Sequence, residues 1–262
     1  MDHKQVGNSK LYYQGTWNEE IFAKCMGVVG SRRMTDYGRR VVQKIVPQLV
    51  EQGWTIVSGM MYGVDQMAHE VCIECGGRTI GVLGWGIEYN SGDREWELQS
   101  KIVESGGLLL SLWKDQMGTN WTFPARNQIV ADLCHELIVV EAANRSGALL
   151  TAGMMIKRKK PVWAVPGPIT SSVSAGTNQL IADGKAKIYL SSSPSPKLGE
   201  GNARGEVNPI LDLISDQGLD ASEIARRLGK SASEIGSELT MMMLRGEVEE
   251  REGKYYLSLN RQ

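Results

Sequence analysis

Three consecutive residues, Gly30, Ser31 and Arg32, have the make-up of an anion-binding turn. They follow a short apolar run, Cys25 to Val29, that reads as a buried strand, and a helical pattern opens near Tyr37. A chain passing from strand to helix in this way leaves backbone N–H groups pointing out of the turn, beside the positive end of the helix. Glycine lets that backbone approach an anion closely, Ser31 adds a hydroxyl donor, and Arg32 adds a planar fork suited to phosphate. A plain turn carrying a solvated charge would read the same way, since any doubly wound sheet has a turn here.

Other stretches carry possible chemistry. Trp121, Phe123, Arg126 and Asn127 combine aromatics with a cation at a loop-to-helix junction. Aromatic stacking with a charged track is how single-stranded nucleic acid is held, and the same aromatics would also anchor a long loop. Asp65 and His69 stand four apart on a helix and are expected to form a hydrogen-bonded structural pair, with no nucleophile beside them. His69, Cys72 and Cys75 recur every three residues, but no second C-x-x-C exists, so buried thiols are expected and no metal site. The basic run 157–160 reads as a solvated helix-end cap. Neither G-x-G-x-x-G after the first strand nor G-x-x-x-x-G-K-[ST] occurs, so no nucleotide cofactor is expected.

The chain has 262 residues, 29 Lys and Arg against 30 Asp and Glu, and a net charge of -1. A polyanion site must therefore be a local patch. No apolar run approaches the ~18–20 residues of a membrane span, and Met1-Asp2-His3-Lys4 opens no signal-peptide core. Four cysteines in apolar or helical contexts suggest reduced thiols and a cytoplasmic location.

The elements that must position these residues alternate between strand and helix. Residues 1–10 are polar and expected to be loose, and Leu11–Gly15 reads as a short edge strand. Strands are expected at Cys25–Val29, Trp54–Ser58, Arg78–Leu83, Leu108–Ser111, Leu137–Glu141, Pro161–Val165 and Ala186–Leu190. Helices are expected at 37–52, with a kink or break at Pro47, at 64–75, at 93–104 capped by Asp93, at 124–131, at 147–157 and at 178–183. This alternation means an α/β domain with a mostly parallel sheet, which binds ligands at the carboxyl ends of its strands. Gly30-Ser31-Arg32, Ser58-Gly59, Gly84-Trp85-Gly86 and Pro166-Gly167 then share one rim.

Residues 1–190 form this Rossmann-like domain. Residues 191–208, rich in Ser, Pro and Gly, read as a linker. Residues 209–262 suggest three helices and a two-stranded wing, a small winged-helix domain. Ten acids against seven bases between Ile210 and Gln262 disfavour duplex reading by that unit and favour a protein-docking role.

Taken in order, several pieces resemble the DNA-processing protein A family (DprA, also Smf). They are Val29-Gly30-Ser31-Arg32 with Tyr37-Gly38, Val57-Ser58-Gly59 with Gly63-Val64-Asp65, Phe123-Pro124-Ala125-Arg126-Asn127, Ser146-Gly147-Ala148-Leu149-Leu150-Thr151-Ala152 and Ala164-Val165-Pro166-Gly167. The resemblance implies an extended Rossmann-like domain that binds single-stranded DNA, forms a homodimer and loads RecA recombinase, in natural transformation where the host is competent. It implies no catalytic activity. It places DNA contacts at Gly30, Ser31, Arg32, Ser58, Gly59, Tyr62, Trp121, Phe123, Arg126 and Asn127. Tyr62, Asn120 and Gln128 stand where the family usually has cations, which puts more of the phosphate grip on Arg32 and leaves Tyr62 to stack a base. The alternatives are a nucleotide-binding enzyme resembling phosphoribohydrolases, with Glu141 as its carboxylate, and a winged-helix transcription regulator.

Overall fold

The computed structural model describes residues 3–6, 9–90, 92–190, 209–214, 218–244, 248–251 and 253–257. The chain divides into two compact units, Met1–Pro194 and Ser195–Gln262. The expected linker, 191–208, lies outside the described residues.

The first unit is built on a nine-stranded sheet in the order β1-β2-β6-β5-β4-β3-β7-β8-β9. Its strands are β1 (His3–Val6), β2 (Ser9–Gly15), β3 (Cys25–Val29), β4 (Thr55–Ser58), β5 (Thr79–Val82), β6 (Leu108–Ser111), β7 (Glu136–Val139), β8 (Val162–Ala164) and β9 (Lys187–Ile188). From β6 to β9 across the sheet every pairing is parallel; β1 and β2 pair antiparallel, and β2 adds antiparallel to β6. Strands covered on both faces need apolar residues on both, which is why Leu108-Leu109-Leu110 and Leu137-Ile138-Val139 run without alternation.

Six helices cover the sheet: α1 (Asp36–Glu51), α2 (Val64–Glu74), α3 (Asp93–Glu104), α4 (Thr122–Leu133), α5 (Gly147–Lys157) and α6 (Ala175–Ala182). Met26, Val28, Ile56 and Ile138 pack with Val42, Val46 and Leu49 of α1 and Val64 and Ala68 of α2. Cys25, Val29, Val57 and Val139 pack on the other face with Val130 of α4 and Ala148, Ala152 and Met155 of α5. Parallel strands covered by helices in this manner make a Rossmann-like α/β fold.

Three local expectations are corrected. Residues 3–6 are a strand, so β2 is internal and β1 is the edge; an edge strand needs only one neighbour, and polar His3-Lys4-Gln5 suits it. Helix α1 runs unbroken through Pro47, held by the buried Val42, Ile45, Val46 and Leu49. The N-cap of α3 is Gly92 rather than Asp93, because the Asn90 side chain accepts the Gly92 N–H at 3.1 Å and sets the entry one residue earlier.

The second unit contains α7 (Pro209–Leu213), α8 (Ala221–Leu228), α9 (Ala232–Leu244) and an antiparallel hairpin of β10 (Val248–Arg251) and β11 (Lys254–Leu257). Asp220 caps α8 by accepting the Glu223 N–H at 2.8 Å, and left-handed Gly229 ends it. Ser231 and Glu234 form a reciprocal capping box at α9. Ile210, Ile214, Ile224, Ile235, Leu239 and Met242 make its core.

Candidate nucleic-acid interface

From β3 the chain winds outward through β4, β5 and β6, then returns to β7 on the opposite side of β3 and winds the other way. The sheet therefore has a switch point between β3 and β7, where the loops diverge and leave a crevice at the strands' carboxyl ends. A cavity of about 620 Å³ occupies it. The turn after β3 forms one wall, the start of α5 another, and Phe123, Pro124, Arg126 and Asn127 of α4 a third.

The turn is shaped by what packs beneath it. A β-carbon on Gly30 would meet Val64 Cγ2 at 2.6 Å, so only glycine lets α2 come this close. The Val64 N–H donates to the Ser31 carbonyl at 3.2 Å and ties the turn to α2. Ser31 Oγ accepts the Arg33 N–H at 3.1 Å, which leaves its own hydrogen to donate outward. The Ser31 and Arg32 amides make no hydrogen bond among the described residues. Two open amides, a hydroxyl and an exposed guanidinium thus converge, the composition of an anion nest. Across the cavity stands the first turn of α5, capped by Ser146 Oγ, whose positive end adds to the field. The guanidinium carbon of Arg32 lies 5.6 Å from the centroid of the Phe123 ring, within cation–π range.

The cavity floor carries a buried pair of opposite charges. Arg126 is only 4% exposed. Its Nη1 donates to the Val82 carbonyl at 2.8 Å and its Nε to Asn127 Oδ1 at 3.0 Å. Burial pulls its pKa down, Asp65 pushes it back up, and Arg32 lowers it further. Asp65 is the counterpart: burial raises its carboxyl pKa, while Arg126 and then the nearby Met61 and Gly30 amides lower it. A guanidinium keeps its proton in such a setting, so Arg126 is a fixed charge beneath the site.

Of the ten residues expected at the interface, seven line this cavity: Gly30, Ser31, Arg32, Gly59, Phe123, Arg126 and Asn127. Three do not. Ser58 is fully buried and donates to the Val28 carbonyl at 2.6 Å, so it stitches β4 to β3 instead of facing a ligand. Trp121 is 58% exposed and packs edge-to-face on Trp113, centroids 5.4 Å apart, beside the cavity rather than in it. Tyr62 is half-exposed on the turn before α2. Arg126, expected as a DNA contact, lies buried on the cavity floor.

The Asp65–His69 pair does not form. His69 Nδ1 meets Thr79 Oγ1 at 2.7 Å, and Thr79 donates its own hydrogen to the Ile56 carbonyl at 2.9 Å, so Nδ1 carries the imidazole hydrogen. Burial, with Arg126 behind it, pushes the His69 pKa down to about 3. Cys72 donates to the Arg78 carbonyl, and burial pushes its thiol up to about 12. Among the described residues no three His, Cys, Asp or Glu side chains converge as metal ligands would. Glu141 is buried, with both carboxylate oxygens taken by the Thr35 N–H and hydroxyl at the start of α1. Lys160 Nζ holds the Ala131 and Asp132 carbonyls, so the basic run closes α4, the neighbouring helix.

Sequence reasoning missed Arg33, the start of α5 and Ser172–Val173 as parts of the cavity wall, whereas Asn120, singled out where the family usually has a cation, does line it. The Ser146-Gly147 helix start after β7 was a usable signal, since it must lie at the switch point. Val173 sits in a long loop with no periodicity to place it.

The pattern that defines DNA recombination-mediator protein A matches residues 4–195. The chain is 32% identical over 179 residues to the DNA processing protein DprA of Bacillus subtilis, covering 68% of this chain and 60% of that one. It is similar to the crystal structure of DprA from Streptococcus pneumoniae, with a TM-score of 0.63 and 36% identity over 69% of this chain and 62% of the other. It is also similar to DprA from Helicobacter pylori, whose structure concerns that protein's mode of binding single-stranded DNA; the TM-score is 0.62, at 28% identity over 68% of this chain and 81% of that one. The chain thus spans about three fifths of the length of the first two relatives. No helix among the described residues is long and apolar enough to cross a membrane. With that match from residue 4 to the end of the first unit, the chain belongs to the DNA recombination-mediator protein A family.

Proposed function

We propose that this protein binds single-stranded DNA at the switch-point cavity and acts as a recombination mediator. The observation that carries this reading is the nest after β3: the open Ser31 and Arg32 amides, the Ser31 hydroxyl and the exposed Arg32 guanidinium meet in a cavity large enough for a nucleotide. A backbone phosphate sits against the nest, and a base packs on the Arg32–Phe123 stack. Arg126 adds its charge from below, held in place by the Val82 carbonyl.

In this reading the protein works in the cytoplasm as a homodimer and delivers the strand to RecA recombinase, in transformation where the host is competent. The second unit is a winged helix that docks a protein. Its charge supports this, since in α8 both Arg226 and Arg227 are paired with Glu223, and Lys230 is paired with Glu238. The protein turns over no substrate. The direct test is a gel shift with single- and double-stranded DNA of equal length across salt concentrations. Preferential, salt-sensitive retention of the single strand is the expected result; equal retention of both, or none, overturns the reading.

A further inference from the structure

Two runs of positive charge stand out in the first unit. In residues 157–160, Arg158 is ion-paired with Asp132 and Lys160 is bound to backbone carbonyls. The other run extends from Arg32 to Lys44 and holds five cations, Arg32, Arg33, Arg39, Arg40 and Lys44, against one acid, Asp36. All five are exposed, and none is ion-paired among the described residues. In a chain of net charge -1 this is an uncompensated patch.

Its layout is that of a track. Arg32 and Arg33 belong to the cavity already described. Arg39, Arg40 and Lys44 lie on the exposed face of α1, Arg40 and Lys44 one turn apart. From Thr35 to Lys44 the helix advances about 14 Å. Beside Arg40 and Lys44, a second cavity of about 290 Å³ opens between α1 and the ends of β8 and β9, with Tyr37 and Tyr189 in its wall. The Tyr37 hydroxyl donates to the Pro166 carbonyl at 2.7 Å, and the loop that starts at Pro166 reaches the first cavity at Ser172 and Val173. One loop, Pro166 to Val173, thus contributes to the walls of both cavities.

We propose that a single strand held at Ser31–Arg32 continues over α1, where Arg39, Arg40 and Lys44 take its next phosphates and the Tyr37–Tyr189 cavity receives an unstacked base. This rests on the single-strand reading above. Charge complementarity, with cations running from Arg32 and Arg33 of the first cavity to Arg40 and Lys44 of the second, selects a nucleic acid. The tyrosine-walled cavity selects a single strand, because the bases of a duplex are stacked and cannot enter it.

The test compares wild type with the triple variant Arg39→Gln/Arg40→Gln/Lys44→Gln, which keeps helix-forming side chains on an exposed face. Binding of labelled oligothymidylates of about 4 and about 20 nucleotides is followed by anisotropy across salt concentrations. The triple variant is expected to bind the long oligomer at least about tenfold more weakly, with a salt slope flatter by about 2, or about 0.7 for each phosphate that is no longer neutralised. The short oligomer and the melting temperature should be unchanged. An unaltered slope and affinity on the long oligomer, or equal losses on both lengths, overturns the track, as does an equal loss on a duplex. If Arg32→Ala weakens the short oligomer while the triple variant matches wild type on the long one, the track fails and the cavity reading stands. If wild type holds no single strand, both fail.

Discussion

The guanidinium of Arg126 occupies the space that a β-carbon on Gly59 would fill. A glycine just past the end of β4 thereby decides the depth of a cation that belongs to α4. From there Arg126 reaches the Val82 carbonyl at the end of β5, so three elements meet under the cavity through one side chain.

Gly59→Ala must therefore displace Arg126 from its hydrogen bonds. The expected cost is about 2–4 kcal/mol, combining overpacking with the loss of a charge-assisted bond. Urea unfolding would show it as a lowered midpoint. Single-strand affinity should fall with it, since the floor charge moves.

His69 makes stability depend on pH in a definite direction. Its folded pKa, about 3, lies below the ordinary value of 6.5, so the unfolded chain binds the proton first. Its contribution is whole above pH 6.5 and is lost as pH falls towards 3, at up to about 1.4 kcal/mol per pH step of one. Asp65 and Glu136, whose carboxyl pKa values burial raises, titrate with the opposite sign. The difference between wild type and His69→Asn isolates the imidazole. Wild type should lose stability relative to the variant between pH 6.5 and 4.5 in chemical denaturation.

Asn120 lines the cavity beside Phe123 and carries no charge. Asn120→Lys should neutralise one further phosphate. Anisotropy titrations should then show tighter single-strand binding at low salt and a salt slope steeper by about 0.7.

Much of the fold was legible because its signals are local. The apolar runs at Cys25–Val29 and Leu108–Ser111 and the Ser146-Gly147 helix start coincide with observed elements. Residues 3–6 were not, because an edge strand can be polar throughout. The site was readable as a list of residue types and less so as positions. A serine ending a strand looks the same whether it faces a ligand or, like Ser58, a neighbouring carbonyl. Arg126 reads as a cation at a loop-to-helix junction, and nothing beside it in sequence tells that the missing β-carbon of Gly59 lets it sink. His69 turns from Asp65 to Thr79 because the strand beside α2, which the helical spacing does not reveal, offers the nearer hydroxyl.

The central claim is that the nest at Ser31–Arg32 grips a phosphate of single-stranded DNA. It is tested most directly by the binding isotherm of Arg32→Ala against wild type on one oligothymidylate at fixed salt. The account predicts a loss of about 1.5–3 kcal/mol, or roughly ten- to more than a hundredfold in Kd, with the fold intact by circular dichroism. An isotherm superimposable on that of wild type would contradict it.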